Sequence, residues 1–214
     1  MGAKFKKIHY LLLLLVFPIL GLVYKILNNH PRDAQILSTK FDASIPFISI
    51  FIVPYIFWYV FILGYLIYFW YKDSTVYLKT LTVIVIGELA CFVVYFFFQT
   101  TVPRPVLSGD GIFIDLVRMI YSHDQPYNAF PSIHVLTTFA IILGNLNIRK
   151  NHPFHSLFVP VMGSLIIIST LFVKQHYILD MFGSMFLTSF IYGIVFELYQ
   201  VPISEKSKTV YLKD

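Results

Sequence analysis

Two histidines of this 214-residue chain stand where hydrophobic segments begin. Asn128 to Phe139 reads NAFPSIHVLTTF and sets Pro131, Ser132 and His134 at the head of an apolar run. Further on, KQHYILDMFGS sets Lys174, His176 and Asp180 at the head of another. His176 and Asp180 are four apart, so on a helix they share a face and the carboxylate can meet one ring nitrogen. That contact would fix the tautomer and stabilise the imidazolium that forms when the other nitrogen attacks phosphorus. Pro131 and Ser132 make a helix start whose exposed N–H groups and positive dipole end offer an anion site. His134, facing the leaving oxygen, could give it a proton. Arg104, in VPRP, adds fixed positive charge for a phosphoryl group whose negative charge spreads over its oxygens.

Each piece also has a plain structural reading. A histidine at a membrane interface is often only solvated or hydrogen-bonded, and His9, His30, His123, His152 and His155 are read that way. Pro-Ser before a helix is an ordinary cap. Arg104-Pro105 would serve equally to hold a loop on lipid headgroups. The functional reading gains from the three segments falling on one side, at one depth, once the chain is laid in a membrane.

The composition requires that membrane. Hydrophobic residues make up 57% of the chain and charged residues only 13%, far from a soluble domain. The formal charge of +5 does not point to nucleic acid, because the basic residues sit at the ends of apolar runs rather than on one soluble face. A lone cysteine, Cys91, excludes an internal disulfide. The expected class is an all-helical, six-span membrane protein of one domain, with spans at about 9–27, 47–70, 76–98, 133–149, 156–173 and 178–199. Continuous apolar stretches without alternation favour helices over a barrel. The N-terminal leucine run follows Lys4, Lys6 and Lys7 but lacks a small-x-small cleavage site, so it reads as an uncleaved first span.

Six spans put both termini on one side. That side carries ten basic residues and the other six, so the termini are expected in the cytoplasm of a cytoplasmic-membrane protein. The outer face then receives Arg104, Ser132, His134, Lys174, His176 and Asp180 from loops 100–132 and 174–177 and the span entrances beside them. Within the longer loop, Ile112, Leu116, Met119 and Ile120 share a side and predict a short interfacial helix. FDASIPF, Phe41 to Phe47, is a gate over the site or a helix cap at Asp42. Glu88, inside a span, is a functional ionisable group or a protonated packing residue. The polar tail 201–214 is expected to be mobile.

These motifs resemble the type-2 phosphatidic acid phosphatase superfamily, membrane relatives of vanadium haloperoxidases and bacterial acid phosphatases. Its pattern is K-x6-R-P, then P-S-G-H, then S-R-x5-H-x3-D. Arg104-Pro105 fit the first motif, with Phe97 in place of lysine. PSIH fits the second, with Ile133 for glycine. Ser169, His176 and Asp180 fit the third, with Thr170 in place of arginine. The likeness extends over about residues 40–200. It implies a nucleophilic His176 oriented by Asp180, a general acid and base at His134, phosphate ligands at Arg104 and Ser132, and neither metal nor cofactor.

Two of the family's three usual phosphate cations are therefore absent, and Lys174 stands as a candidate substitute or a lipid-headgroup contact. The implied function is a lipid phosphatase acting through a phosphohistidine on polyprenyl diphosphate, phosphatidylglycerol phosphate or phosphatidic acid. The same core also resembles the sphingomyelin and inositol phosphorylceramide synthases, which pass the group to an alcohol. A non-catalytic lipid-binding or transport protein is the third reading, set against by the intact His134, His176 and Asp180.

Overall fold

Apolar stretches of this length can satisfy their backbone away from water only by winding into helices. The computed structural model describes residues 8–198, and its regular structure is helical. A 3-10 segment, Ile8–Leu15, leads into α1, Val16–Asn28. Pro18 lacks the N–H that would close an α turn onto Leu14, in keeping with the tighter winding upstream. Then follow α2 (Ile52–Lys72), α3 (Ser74–Phe97), α4 (Ile112–His123), α5 (Ile133–Asn145), α6 (Pro153–Phe172) and α7 (Ile178–Gly193), the last running on as a π segment, Ile194–Leu198. Lys4, Lys6, Lys7 and the polar tail lie outside the described residues.

Among the described residues five helical stretches are long and apolar enough to cross a membrane: Ile8–Asn28, Ser49–Lys72, Ser74–Phe97, Pro153–Phe172 and Ile178–Glu197. By length and composition the sixth expected span is not confirmed. The fourth segment, read as 133–149, is helical only over Ile133–Asn145, 13 residues, or about 20 Å of helix against a hydrocarbon core of about 30 Å. The helix stops where Gly144 and Asn145 turn the chain. There the Asn145 side chain donates to the His155 carbonyl and accepts from Asn151.

Short as it is, α5 is the centre of the bundle. It packs against α2, α3, α6 and α7, and Val135, Leu136 and Ile141 on it are wholly enclosed. Asp73 reverses the chain between α2 and α3 in one residue, its carboxylate accepting from the N–H groups of Thr75 and Val76. The interfacial segment is helical as α4, but its inner face is offset from the expected one. Val117, Leu116 and Ile120 pack with Ile52 and Tyr55, while Ile112 and Met119 face outward. Arg118 and Asp115 pair on its exposed side at 2.8 Å.

Close packing at the far end of α5 sets a test. A Cβ on Gly144 would collide with the Thr80 hydroxyl and press on the Phe69 ring. Thr80 is stiff and buried, so the contact cannot be relieved by a flexible chain end. Gly144→Ala should destabilise the bundle by about 1–3 kcal/mol, read as a lowered thermal midpoint in detergent. An unchanged midpoint would show that α3 and α5 can separate there freely.

Candidate active site

The segment after α6 must turn from a helix end into the start of α7, and the backbone of Thr170 organises that turn. Its carbonyl accepts from the N–H groups of both Gln175 and His176. Lys174 takes the left-handed conformation, φ +53°, that such helix ends usually give to glycine. The result points the His176 ring back toward the loop that enters α5.

There its Nδ1 donates to the carbonyl of Ala129 at 3.0 Å, and Asp180 Oδ2 lies 3.4 Å from the same nitrogen. The carboxylate was expected to orient the ring. The nearer partner is instead a backbone carbonyl, and Asp180 stands behind it as the counter-charge. Asp180 Oδ2 also accepts from the Tyr177 N–H and so caps α7. With Nδ1 occupied as donor, His176 Nε2 is left to act as a nucleophile.

His134 lies on the first turn of α5, its ring 5.9 Å from that of His176 and packed by Tyr55 at 4.7 Å and Trp58 at 4.3 Å between centroids. Its Nε2 is enclosed and has no hydrogen bond. Ser132 is the N-cap of α5, its Oγ accepting from the Val135 N–H at 3.3 Å, and its own N–H reaches the Asp180 carbonyl. Arg104 stacks over Tyr121 and donates to the Tyr121 carbonyl at 2.7 Å and to Gln175 Oε1 at 3.0 Å. Five of the six expected residues thus converge. The sixth, Lys174, stands at the rim, its ammonium donating to the carbonyls of Asp42 and Ile45. Burial pulls its pKa down, against the opposing charge of Asp42.

Asp42 resolves between its two readings. One carboxylate oxygen accepts from the Ile178 N–H at 2.8 Å and the other from Thr39, so it caps α7 from a distant loop. Its charge is felt by Lys174, but it makes no ion pair in direct contact among the described residues. Glu88 is buried in α3 without an ion pair among the described residues. His30 and His123 hydrogen-bond carbonyls one turn back, and His152 caps α6.

Several neighbours of the site were not foreseen. Gln175, only 7% exposed, bridges to Arg104 and leaves its Nε2 enclosed without a partner. A count of missing cations would have directed attention to any donor beside His176. Asp124 closes α4 and accepts from the Tyr24 hydroxyl at 2.9 Å. Burial raises its pKa, while that hydrogen bond and the charges of Arg104 and His176 pull it back. Asn28, from α1, takes the Gln125 N–H on its oxygen and donates to the Gln125 and Tyr127 carbonyls. Gln99 adds a bond to Asn128 at 2.9 Å. Helix α1 and the end of α3 therefore hold the loop whose Ala129 carbonyl holds His176.

The arrangement defines an integral membrane protein with two imidazoles, a carboxylate and a guanidinium gathered at one end of a helical bundle. Residues 34–194 match the family model of the PAP2 superfamily, and the chain belongs to that superfamily, whose members generally hydrolyse phosphate esters. No curated protein and no solved structure matches the chain. The match begins after α1, so the helix that pins the loop before α5 lies outside it.

Asn28→Ala removes three buried hydrogen bonds and strands their backbone partners. It should cost about 1–3 kcal/mol of stability, measured as a lowered thermal midpoint. A change no larger than that of an exposed substitution on α1 would show that the loop keeps its shape unaided.

Proposed function

We propose that the protein is a membrane enzyme that hydrolyses a lipid phosphate ester through a phosphohistidine on His176. The observation that carries this reading is the placement of unpaired buried groups. Of six buried side-chain atoms without a hydrogen bond among the described residues, five belong to the three converging segments: Arg104 Nε, Asn128 Nδ2, His134 Nε2, Gln175 Nε2 and Asp180 Oδ1. Buried groups left unpaired are costly, and a phosphate anion would satisfy the donors among them, Arg104 Nε, Asn128 Nδ2, Gln175 Nε2 and a protonated His134 Nε2. Asp180 Oδ1 is an acceptor and stays with the counter-charge of His176.

In this reading His176 Nε2 attacks phosphorus while its Nδ1–H stays on Ala129, and the positive charge gained is offset by Asp180. The bond from phosphorus to the leaving oxygen breaks, and His134 delivers a proton to that oxygen. A water then gives a proton to His134 and attacks the phosphohistidine, releasing phosphate from a monoester or a phosphomonoester from a diester and restoring the imidazole. Arg104 holds the phosphoryl oxygens with help from the donors at the start of α5. The termini are cytoplasmic and the site faces outward, as the basic residues suggest. Helix α5 makes the sixth crossing, and being enclosed by protein it need not match the bilayer. An amphiphile then keeps its chain in the lipid while its phosphate reaches the histidines.

Transfer to an alcohol in place of water is the second reading. It is favoured by a cavity of about 380 Å³ at the rim, lined by Arg104, Lys174, Thr39 and Tyr177, with room for an acceptor.

Purified protein in detergent with EDTA, offered a panel of lipid phosphate monoesters and diesters, should cleave a phosphate ester, and His176→Ala should cleave none above background. An active His176→Ala would remove the nucleophile. In the first step, read as the pre-steady-state burst, His134→Gln should slow loss of a poor alkoxide leaving group by about 10²–10⁴-fold yet largely spare p-nitrophenolate, which needs no proton, while the later water attack slows for both. Equal first-step losses on both would take the general acid away from His134. Release only after addition of an alcohol would favour the second reading.

A further inference from the structure

The phosphoryl-transfer reading leaves a shortage of charge to explain. Phe97, at the first-motif lysine position, turns outward and is 80% exposed. Thr170, at the third-motif arginine position, is sealed in α6 with its hydroxyl on the Ile167 carbonyl. Two cations remain nearby, Arg104 and the rim residue Lys174, and the second is already held by two loop carbonyls. Three carboxylates stand among the same segments: Asp180 behind His176, Asp124 at the end of α4 and Asp42 beside Lys174. Fixed negative charge thus equals or exceeds positive. A phosphomonoester above about pH 6 brings two negative charges, and such a site is poorly suited to it.

What the site offers instead are neutral donors. Gln175 gives its oxygen to Arg104, which turns the carboxamide so that only N–H remains to be satisfied. Beside it the Arg104 Nε is also enclosed and unpaired. The carboxamide and the guanidinium are joined at 3.0 Å, so their free N–H groups are near neighbours.

We propose that Gln175 is a phosphate ligand acting with Arg104, and that this pair of one amide and one guanidinium selects a singly charged phosphodiester over a doubly charged monoester. The inference rests on the reading above and names its substrate class. His176 Nε2 bonds to phosphorus as the bond to one ester oxygen breaks, and His134 protonates that oxygen. The second ester remains, so the phosphohistidine keeps a single negative charge that one guanidinium can match. Water or an alcohol then loses its proton to His134, bonds to phosphorus and frees His176. The product is a phosphomonoester if water attacks and a new diester if an alcohol does.

The test uses p-nitrophenyl phosphate and its methyl ester, which share a leaving group and differ by one charge. Wild type in detergent at pH 7.5 should favour the methyl ester in kcat/KM by about tenfold or more. Gln175→Ala should lose about tenfold on the diester, chiefly in KM, and Gln175→Arg should move the preference toward the monoester. Should Gln175→Ala fail to fold, dimethyl phosphate and inorganic phosphate are compared by thermal shift of His176→Ala. Dimethyl phosphate should stabilise it more. A wild-type preference for the monoester, or a ratio indifferent to Gln175→Arg, overturns the inference while leaving phosphoryl transfer intact. No turnover and no stabilisation by either class of anion would overturn both.

Discussion

The hydrogen bond from His176 Nδ1 to the Ala129 carbonyl is the contact on which the remainder of the site depends. A backbone carbonyl cannot rotate away or change protonation, so it sets the tautomer more firmly than a carboxylate would. Everything around it keeps that carbonyl still. Asn28 and Gln99 fasten the residues just before it, and Ser132 just after it caps the helix that carries His134. Asp42 and Asp180 together cap the helix behind His176. The bundle fixes two helix starts, and the loops between them become as rigid as the helices.

What the sequence made legible was the chemistry of side chains in short, local patterns. His134, His176, Asp180, Arg104 and Ser132 stood out because their types and spacing are rare in apolar surroundings, and they meet in space. The partners that hold them were not legible, because a backbone carbonyl at Ala129 and amides at Asn28 and Gln175 have no pattern of their own. They matter through contacts across 97 residues or more of chain in the case of Asn28. The fourth span was read too long for a related reason. Hydropathy runs smoothly past Asn145 to Ile148, but Gly144 and Asn145 turn the chain before the apolar run ends. Lys174 lies at the rim and reaches for the first outer loop, a direction that goes with its left-handed backbone and that no local pattern announces.

The electrostatics of the site are sparing. Phe97 and Thr170 occupy the positions of motif cations, the donors that remain are largely neutral, and the carboxylates nearby are held by N–H and O–H groups rather than by lysine or arginine. Burial then acts on Asp124 in the direction of the uncharged form. Such a site keeps its fields short-ranged, and under the proposed function selectivity rests on the few donors that touch the ligand.

The contact between α1 and the loop after α4 also bears on how the protein is made. Tyr24 and Asp124 are separated by 100 residues, and Asp42 meets the start of α7 across 136. As the chain leaves the ribosome, α1 through α3 can each enter the bilayer before any of their polar partners exist. The site is knit only when residue 178 has arrived, near the end of synthesis. Until residues 124–127 exist Tyr24 and Asn28 have only each other, and Asp42 has only Thr39 until Ile178 arrives, so the loops around His134 and His176 take their shape late in assembly.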